Sequence, residues 1–136
     1  MKTLAKRAPQ EKLMDRKITR SKFFRDLDVW KLSIEIVKNI YQLTNKFPNS
    51  EIYGLIGQLR RSAISIPSNF AEGQGRNSAK EFKQFLAIAL GSPAELETQL
   101  VISKEVNSLT ERDLSLLIID LDIVRKMIKA LSLSLK

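Results

Sequence analysis

The sequence predicts an all-α protein whose ordered part contains four helices. Three observations lead to this fold class. Apolar residues recur at helical spacing in four segments, turn residues separate the segments, and 43% of the 136 residues are hydrophobic, enough for one packed core. We assign residues 23–136 to a single domain. Residues 1–22 have no steady periodicity and are expected to form a flexible basic arm.

The first predicted helix begins near Trp30 and ends before Phe47-Pro48. Asp26 or Asp28 can cap its N-terminus by accepting free backbone N–H groups. Trp30 and Tyr41 could serve as stacking platforms for nucleobases. Because both lie on the apolar stripe of the helix, we expect them to be core anchors instead.

The second helix is expected from about Glu51 to Ala71, with Pro67 causing a kink near Ala63–Pro67. Its predicted core face consists of Ile52, Leu55, Ile56, Leu59, Ala63, Ile66 and Phe70. Small residues and one arginine occupy the opposite face, where another helix could approach closely: Gly54, Gly57, Arg61, Ser65 and Ser68.

Gly73-Gln74-Gly75 is expected to form a turn in which glycine supplies a positive φ. A phosphate-cradling loop is the alternative, but neither a preceding strand nor the usual glycine spacing is present. Ser78 and Glu81 form a capping box that starts the third helix, and Gly91-Ser92-Pro93 predicts a bend within it. Glu95 and Glu97 point in different directions on a helix, so they do not form a paired-carboxylate site. Glu95 could pair with an arginine of the second helix.

The fourth helix is expected to be capped by Thr110 with Asp113 and carries two apolar stripes. Leu114, Leu117, Ile118, Leu121, Val124, Ile128, Leu131 and Leu135 form the first stripe, and Leu116, Ile119, Ile123, Met127 and Ala130 form the second. Together they cover more than half of the helix circumference, which is more than a small bundle needs. We expect another subunit to cover the excess; a loop or the N-terminal arm is the alternative.

The charge distribution points to a polyanionic partner. The net charge is +8, and residues 1–22 hold eight of the 23 Lys and Arg residues against Glu11 and Asp15 alone. A basic arm on a nearly neutral body favours nucleic acid over a membrane as the partner. The alternative is a solvated tail that only aids solubility.

The residue types present argue against catalysis. Cysteine and histidine are both absent, which excludes thiol chemistry, Ser-His-Asp triads and the usual zinc sites. No run of about 18 apolar residues and no signal peptide is seen. We therefore expect a cytoplasmic protein that is not an enzyme, has no cofactor and does not enter a membrane.

An ordered string of motifs resembles one known family. The motifs run from Phe24 to Leu100: Phe24-Arg-Asp-Leu-Asp-Val-Trp30, Phe47-Pro48, Tyr53-Gly54-Leu55, Gln58-Leu-Arg-Arg-Ser-Ala-Ile-Ser-Ile-Pro67-Ser-Asn69, Ala71-Glu-Gly-Gln-Gly-Arg76, Glu81-Phe82, Phe85-Leu86, Ala89, Gly91-Ser92 and Glu95-Leu-Glu-Thr-Gln-Leu100. They resemble the 23S ribosomal RNA intervening-sequence proteins, a family that includes the accessory variability proteins of diversity-generating retroelements. The resemblance covers about residues 23–131. Pro93 departs from the family pattern, and the basic arm lies outside it.

The resemblance implies an antiparallel up-and-down four-helix bundle that assembles as a ring-like homopentamer. Retroelement relatives present a basic surface to structured RNA or DNA and to a reverse transcriptase. From charge and resemblance together we expect a non-catalytic nucleic-acid-binding protein, with RNA favoured over DNA. The alternative is a protein-interaction scaffold, such as an accessory subunit of a reverse transcriptase or of a ribosome-related factor.

Ten basic residues are candidate nucleic-acid contacts. Five lie in the predicted helices or the turn between them: Arg60, Arg61, Arg76, Lys80 and Lys83. Five lie in the arm: Lys12, Arg16, Lys17, Arg20 and Lys22. For Arg61 the alternative is an ion pair with a glutamate between helices or subunits. For Arg76, Lys80 and Lys83 the alternative is a turn that only faces solvent.

Overall fold

The computed structural model describes Phe24 and residues 27–135, with only the backbone at 51–53. This part of the chain is helical and contains no β-strand. Its four long helices are α1 (Asp28–Thr44), α2 (Gly57–Gln74), α3 (Ala79–Glu105) and α4 (Glu111–Ser134). Two short helical segments precede α2, a 3₁₀-helix (Asn49–Glu51) and a π-helix (Ile52–Ile56).

Contacts between α2 and α3 show that these helices are antiparallel. Ser62 bonds to Gln99 (2.7 Å) and Ser65 to Ser92 (2.7 Å), so partner numbers fall along α3 as they rise along α2. The α3–α4 pair follows the same rule, with ion pairs from Lys104 to Glu111 and from Glu97 to Arg125. Short connections at 75–78 and 106–110 permit this hairpin order.

The core lies between the four helices and is built from the predicted stripes. Of the core face predicted for the second helix, all the residues with described side chains are buried except Leu55, which is half-buried and packs against the core. The first stripe of α4 is buried or packed against the core along its whole length. Trp30 also packs against the core, with its ring centroid 5.4 Å from that of Phe24. These predictions are confirmed.

Tyr41 is not a core anchor, which corrects the expectation for this residue. Its side chain is 37% exposed, and the Arg60 guanidinium lies 4.4 Å from its ring centroid. Tyr41 lies at the edge of the apolar stripe, where a helical period places a residue at the boundary with solvent.

The second helix starts later than predicted. The π-helix Ile52–Ile56 contains Gly54 with non-helical angles (φ −111°, ψ −107°), and regular α-helix begins only at Gly57. The predicted small-residue face meets another helix at Ser65, whose hydroxyl contacts that of Ser92 on α3 (2.7 Å). The rest of this face, Gly54, Gly57, Arg61 and Ser68, is exposed. Ser62 adds a second contact between α2 and α3 through Gln99.

Gly73 has a different role from the one predicted. The helix continues through it to Gln74, and no glycine in the described chain has a positive φ; Asn107 does, at 63°. A Cβ on Gly73 would lie 2.6 Å from Phe85 Cβ and 3.0 Å from Phe82 Cδ1. Glycine is therefore required here by the close approach of α3.

Two of the three predicted helix caps are confirmed. The Ser78 hydroxyl accepts a hydrogen bond from the Glu81 N–H (3.2 Å), and the Thr110 hydroxyl accepts one from the Asp113 N–H (3.1 Å). For α1, Asp26 lies outside the described residues, and the N-cap position is occupied by Leu27 and not by Asp28. Asp28 lies in the first turn, where a carboxylate complements the helix dipole.

Both internal prolines are accommodated without a break in the helix. Pro67 and Pro93 are buried within α2 and α3, each of which is one continuous helix. A proline removes one backbone hydrogen bond, yet each helix continues past its proline. The expected bends at these two positions stay predictions.

The second apolar stripe of α4 is partly buried by the other helices and partly exposed to solvent. Ile123 and Met127 are buried and Leu116 packs against the core, whereas Ile119 is 48% exposed and Ala130 is also exposed. Neighbouring helices thus cover much of the surface that the sequence assigned to another subunit.

Candidate nucleic-acid interface

The five candidate residues that the structure describes do not form a single patch. Lys12, Arg16, Lys17, Arg20 and Lys22 lie outside the described residues, and their role stays a prediction. Arg60 and Arg61 lie near the start of α2, and Arg76 follows its end. Fifteen helical residues span about 22 Å, so the remaining five candidates occupy opposite ends of the bundle.

Arg76, Lys80 and Lys83 are all exposed at the α2–α3 turn. Arg76 pairs with Glu72 at 3.1 Å, and its guanidinium lies 5.1 Å from the Phe85 ring centroid. Lys80 and Lys83 are three apart on α3, so they lie on neighbouring turns of one face. Within the described chain neither lysine makes an ion pair, which leaves both ammonium groups available to a phosphate.

Antiparallel topology brings further cations to the same end. The start of α1, the end of α2, the start of α3 and the end of α4 lie together there. We call this region the basic end; its exposed cations are Lys31, Arg76, Lys80, Lys83 and Lys129. The carboxylates on the corresponding turns are Asp28, Glu72 and Glu81.

Residues 1–26 also join the bundle at the basic end, because they lead into the start of α1. The arm with its eight Lys and Arg residues is therefore attached next to the exposed cations of the helices. Sequence reasoning missed Lys31 and Lys129. The predicted antiparallel order would have identified them, since it places both chain ends beside the α2–α3 turn.

Arg60 and Arg61 are neighbours in sequence with different surroundings. Arg60 is half-buried; its Nε donates to Thr44 Oγ1 (2.9 Å) and its terminal nitrogen to Asn45 Oδ1 (3.0 Å). Arg61 is exposed and donates to the Gln58 side chain. The glutamate partner expected as an alternative for Arg61 does not occur within the described protomer.

An apolar surface runs along the outer side of α3. Ile88, Val101, Ile102 and Val106 are between 39% and 56% exposed. With Gly91 and Ala94 they form what we call the apolar strip, which Glu95 and Thr98 interrupt. A Cβ on Gly91 would meet no atom within 4 Å, so this side of α3 is open.

The composition of α3 is unusual for a helix of a small bundle. By length and composition alone it could cross a membrane, with an 18-residue stretch of mean hydropathy 1.3, of which only 33% is buried. Core helices of water-soluble proteins can be this apolar, but most of their surface is buried. The excess apolar surface of α3 points outward.

The acidic residues do not assemble into a site. Among the residues that the structure describes, no three Asp or Glu side chains are grouped so as to hold a metal ion. Glu97 pairs with Arg125 (2.7 Å), while Glu95 accepts a hydrogen bond from Gln99 (3.3 Å). The expected arginine partner of Glu95 on the second helix is not found. That the protein is not an enzyme stays a prediction.

By its fold and its surface, the chain is a small helical-bundle protein with exposed cations clustered at one end. The family model of the 23S rRNA-intervening sequence protein matches residues 25–130, and the chain belongs to that family. The resemblance found in the sequence is thus confirmed.

A solved structure supports the fold. The chain is similar, with a TM-score of 0.68 and 23% identity, to a protein of unknown function from the S23 ribosomal protein family of Bacteroides thetaiotaomicron. The match covers 76% of this chain and 97% of that one. Comparison with curated proteins gave no significant match.

Proposed function

We propose that this protein is a non-catalytic, cytoplasmic nucleic-acid-binding protein that acts as a basic homo-oligomer, with structured RNA as its ligand. The observation that carries the proposal is the basic end. It combines exposed lysines on three helices with the attachment point of a strongly basic arm. Such a cluster contacts phosphates and releases their counterions, which supplies most of the affinity in binding of low sequence specificity.

Assembly would multiply this charge. A ring of five chains, each carrying +8, would carry about +40 and attract a polyanion over a Debye length or more. The apolar strip supports association with further copies, because exposed apolar surface of this kind is typical of protein contacts. The number five comes from the family resemblance.

Binding to an RNA hairpin and to duplex DNA over a salt series tests the proposal. We expect RNA binding that weakens steeply with salt. Lys80→Ala with Lys83→Ala should lower the affinity and reduce the slope of log K against log salt by about one for each lost phosphate contact. The control, Lys104→Ala with Arg112→Ala, removes the same charge from the other end, where Lys104 is ion-paired with Glu105 and Glu111, and should have a smaller effect.

Two results would count against the proposal in different ways. If the wild-type protein binds neither ligand at low salt, the nucleic-acid function is wrong. If both double variants lose the same affinity, binding depends on overall charge and the basic end is not the contact surface. Circular dichroism of each variant verifies that the helices are retained.

A second candidate function is a protein-interaction scaffold, such as an accessory subunit of a reverse transcriptase or of a ribosome-related factor. The apolar strip favours it, since the same surface could receive another protein instead of a second copy. A protein that stays monomeric and binds no nucleic acid would make this function the leading one.

A further inference from the structure

We infer that Tyr41 and Arg60 form a stacking platform for an unpaired RNA base, at the end of the bundle opposite the basic end. This inference rests on the proposed function and adds a second contact of a different chemical kind. The basic end is suited to phosphates, whereas an exposed aromatic ring with a guanidinium above it is suited to the face of a nucleobase.

The arginine is held in place by neutral acceptors. Thr44 is buried, and its hydroxyl donates to the Ile40 carbonyl (2.7 Å) while it accepts from Arg60 Nε (2.9 Å). Asn45 holds a terminal nitrogen at 3.0 Å. These bonds come from two successive residues at the end of α1, so the guanidinium is oriented before any ligand arrives.

No carboxylate neutralises this cation within the described chain. Arg125 and Arg76, by contrast, each have an acidic partner within ion-pair distance. Arg60 therefore combines a fixed orientation with an unneutralised charge.

Tyr41 supplies the second layer of the platform. The guanidinium carbon lies 4.4 Å from the ring centroid, within the range of a cation–π contact. The tyrosine is 37% exposed, so part of its ring is accessible to a ligand. Bases stack on both aromatic rings and guanidinium planes, and the arrangement is already assembled in the free protein.

The neighbouring surface suits a nucleic-acid strand. Lys38 lies one turn before Tyr41 and Lys46 follows the end of α1, and both are exposed. Lys38 forms an ion pair with Glu35 (3.4 Å), whereas Lys46 makes no ion pair with any described residue. A strand whose base stacks at Tyr41 would therefore find a cation for its phosphate nearby.

Arg60 also joins α1 to α2, so loss of affinity in an Arg60 variant would not separate binding from folding. The test therefore uses Tyr41 and a direct readout. An RNA hairpin carries 4-thiouridine either in its single-stranded loop or in its duplex stem. After irradiation, the crosslinked peptide is identified by mass spectrometry.

We expect loop-labelled RNA to crosslink to the peptide that contains Tyr41, and stem-labelled RNA not to do so. Tyr41→Ala should weaken binding of the hairpin roughly tenfold and leave binding of a blunt RNA duplex unchanged. Tyr41→Phe keeps the ring and should behave as the wild type, which controls for the hydroxyl group.

The outcomes separate this inference from the proposed function. If the wild-type protein binds neither RNA, the proposed function fails and the platform fails with it. If both RNAs bind but crosslinks never include Tyr41, or Tyr41→Ala weakens both ligands equally, the platform is wrong while the proposed function stands. Should Tyr41→Ala unfold, the crosslinking result on the wild-type protein still decides.

Discussion

At the scale of single residues, Gly73 has no room for a side chain. We expect Gly73→Ala to lower the free energy of unfolding by about 1–3 kcal/mol, because its Cβ would lie 2.6 Å from Phe85 Cβ and overpacking strains a close contact. Urea denaturation measures the change. Gly75→Ala, two residues later, is the control. A Cβ on Gly75 would lie 3.4 Å from its nearest atom, the Ala71 carbonyl oxygen, and the φ of Gly75 is −68°, so stability should change little.

The result for Gly73 also shows what sequence reasoning could not reach at this scale. A glycine near a predicted helix end is typical of a turn with positive φ. Here the helix continues, and the reason for glycine lies in the aromatic side chains of α3, which no local pattern records. If Gly73→Ala were as stable as the wild type, this contact would not explain the residue.

Arg60 and Tyr41 make the same point for the candidate surface. The adjacent arginines were recognised from sequence as candidates, but their environments depend on where α1 ends relative to α2. Thr44 and Asn45 meet Arg60 only because the 45–56 connection folds back through its 3₁₀ and π segments. The sequence therefore identified Arg60 as a candidate, and the structure distinguished it from Arg61.

At the scale of whole elements, α4 depends on its N-cap. We expect Thr110→Ala to destabilise the protein by about 1 kcal/mol, because the Asp113 N–H loses its acceptor at 3.1 Å. Thr110→Ser keeps a hydroxyl at the same position and should be nearly neutral. Thermal or urea unfolding of both variants measures the difference, and equal stability of the alanine and serine variants would contradict the capping role.

Helix starts were predictable where a capping residue marks them. Ser78 and Thr110 mark the starts of α3 and α4, and the hydroxyl group of each accepts the predicted capping hydrogen bond. The predicted start of α2 was wrong because the apolar periodicity extends back through Ile52–Ile56. Gly54 adopts non-helical backbone angles within this segment. Periodicity records which face is buried, and it does not distinguish a π-helix from an α-helix.

At the scale of the whole molecule, the described chain leaves two surfaces uncovered, the basic end and the apolar strip. Four helices and their core follow from apolar spacing, and the antiparallel order follows from short connections. The uncovered apolar surface, however, was expected on α4 and is found on α3 as well, while Ile119 and Leu133 of α4 are also exposed. The sequence could not decide this, because burial of Ile123 and Met127 depends on how the neighbouring helices pack around α4.

Assembly through the apolar strip gives the last prediction. Gly91→Glu places a charge where the protomer has open space, and glutamate is the better helix former by about 0.5–1 kcal/mol. The variant should therefore fold at least as stably as the wild type, yet its mass by light scattering should fall toward the 15.5 kDa of one chain. Ser115→Glu, on an exposed position of α4, should keep the wild-type mass. If the mass of Gly91→Glu is unchanged, the apolar strip of α3 does not form the subunit contact. A monomeric wild-type protein would contradict the proposed homo-oligomer.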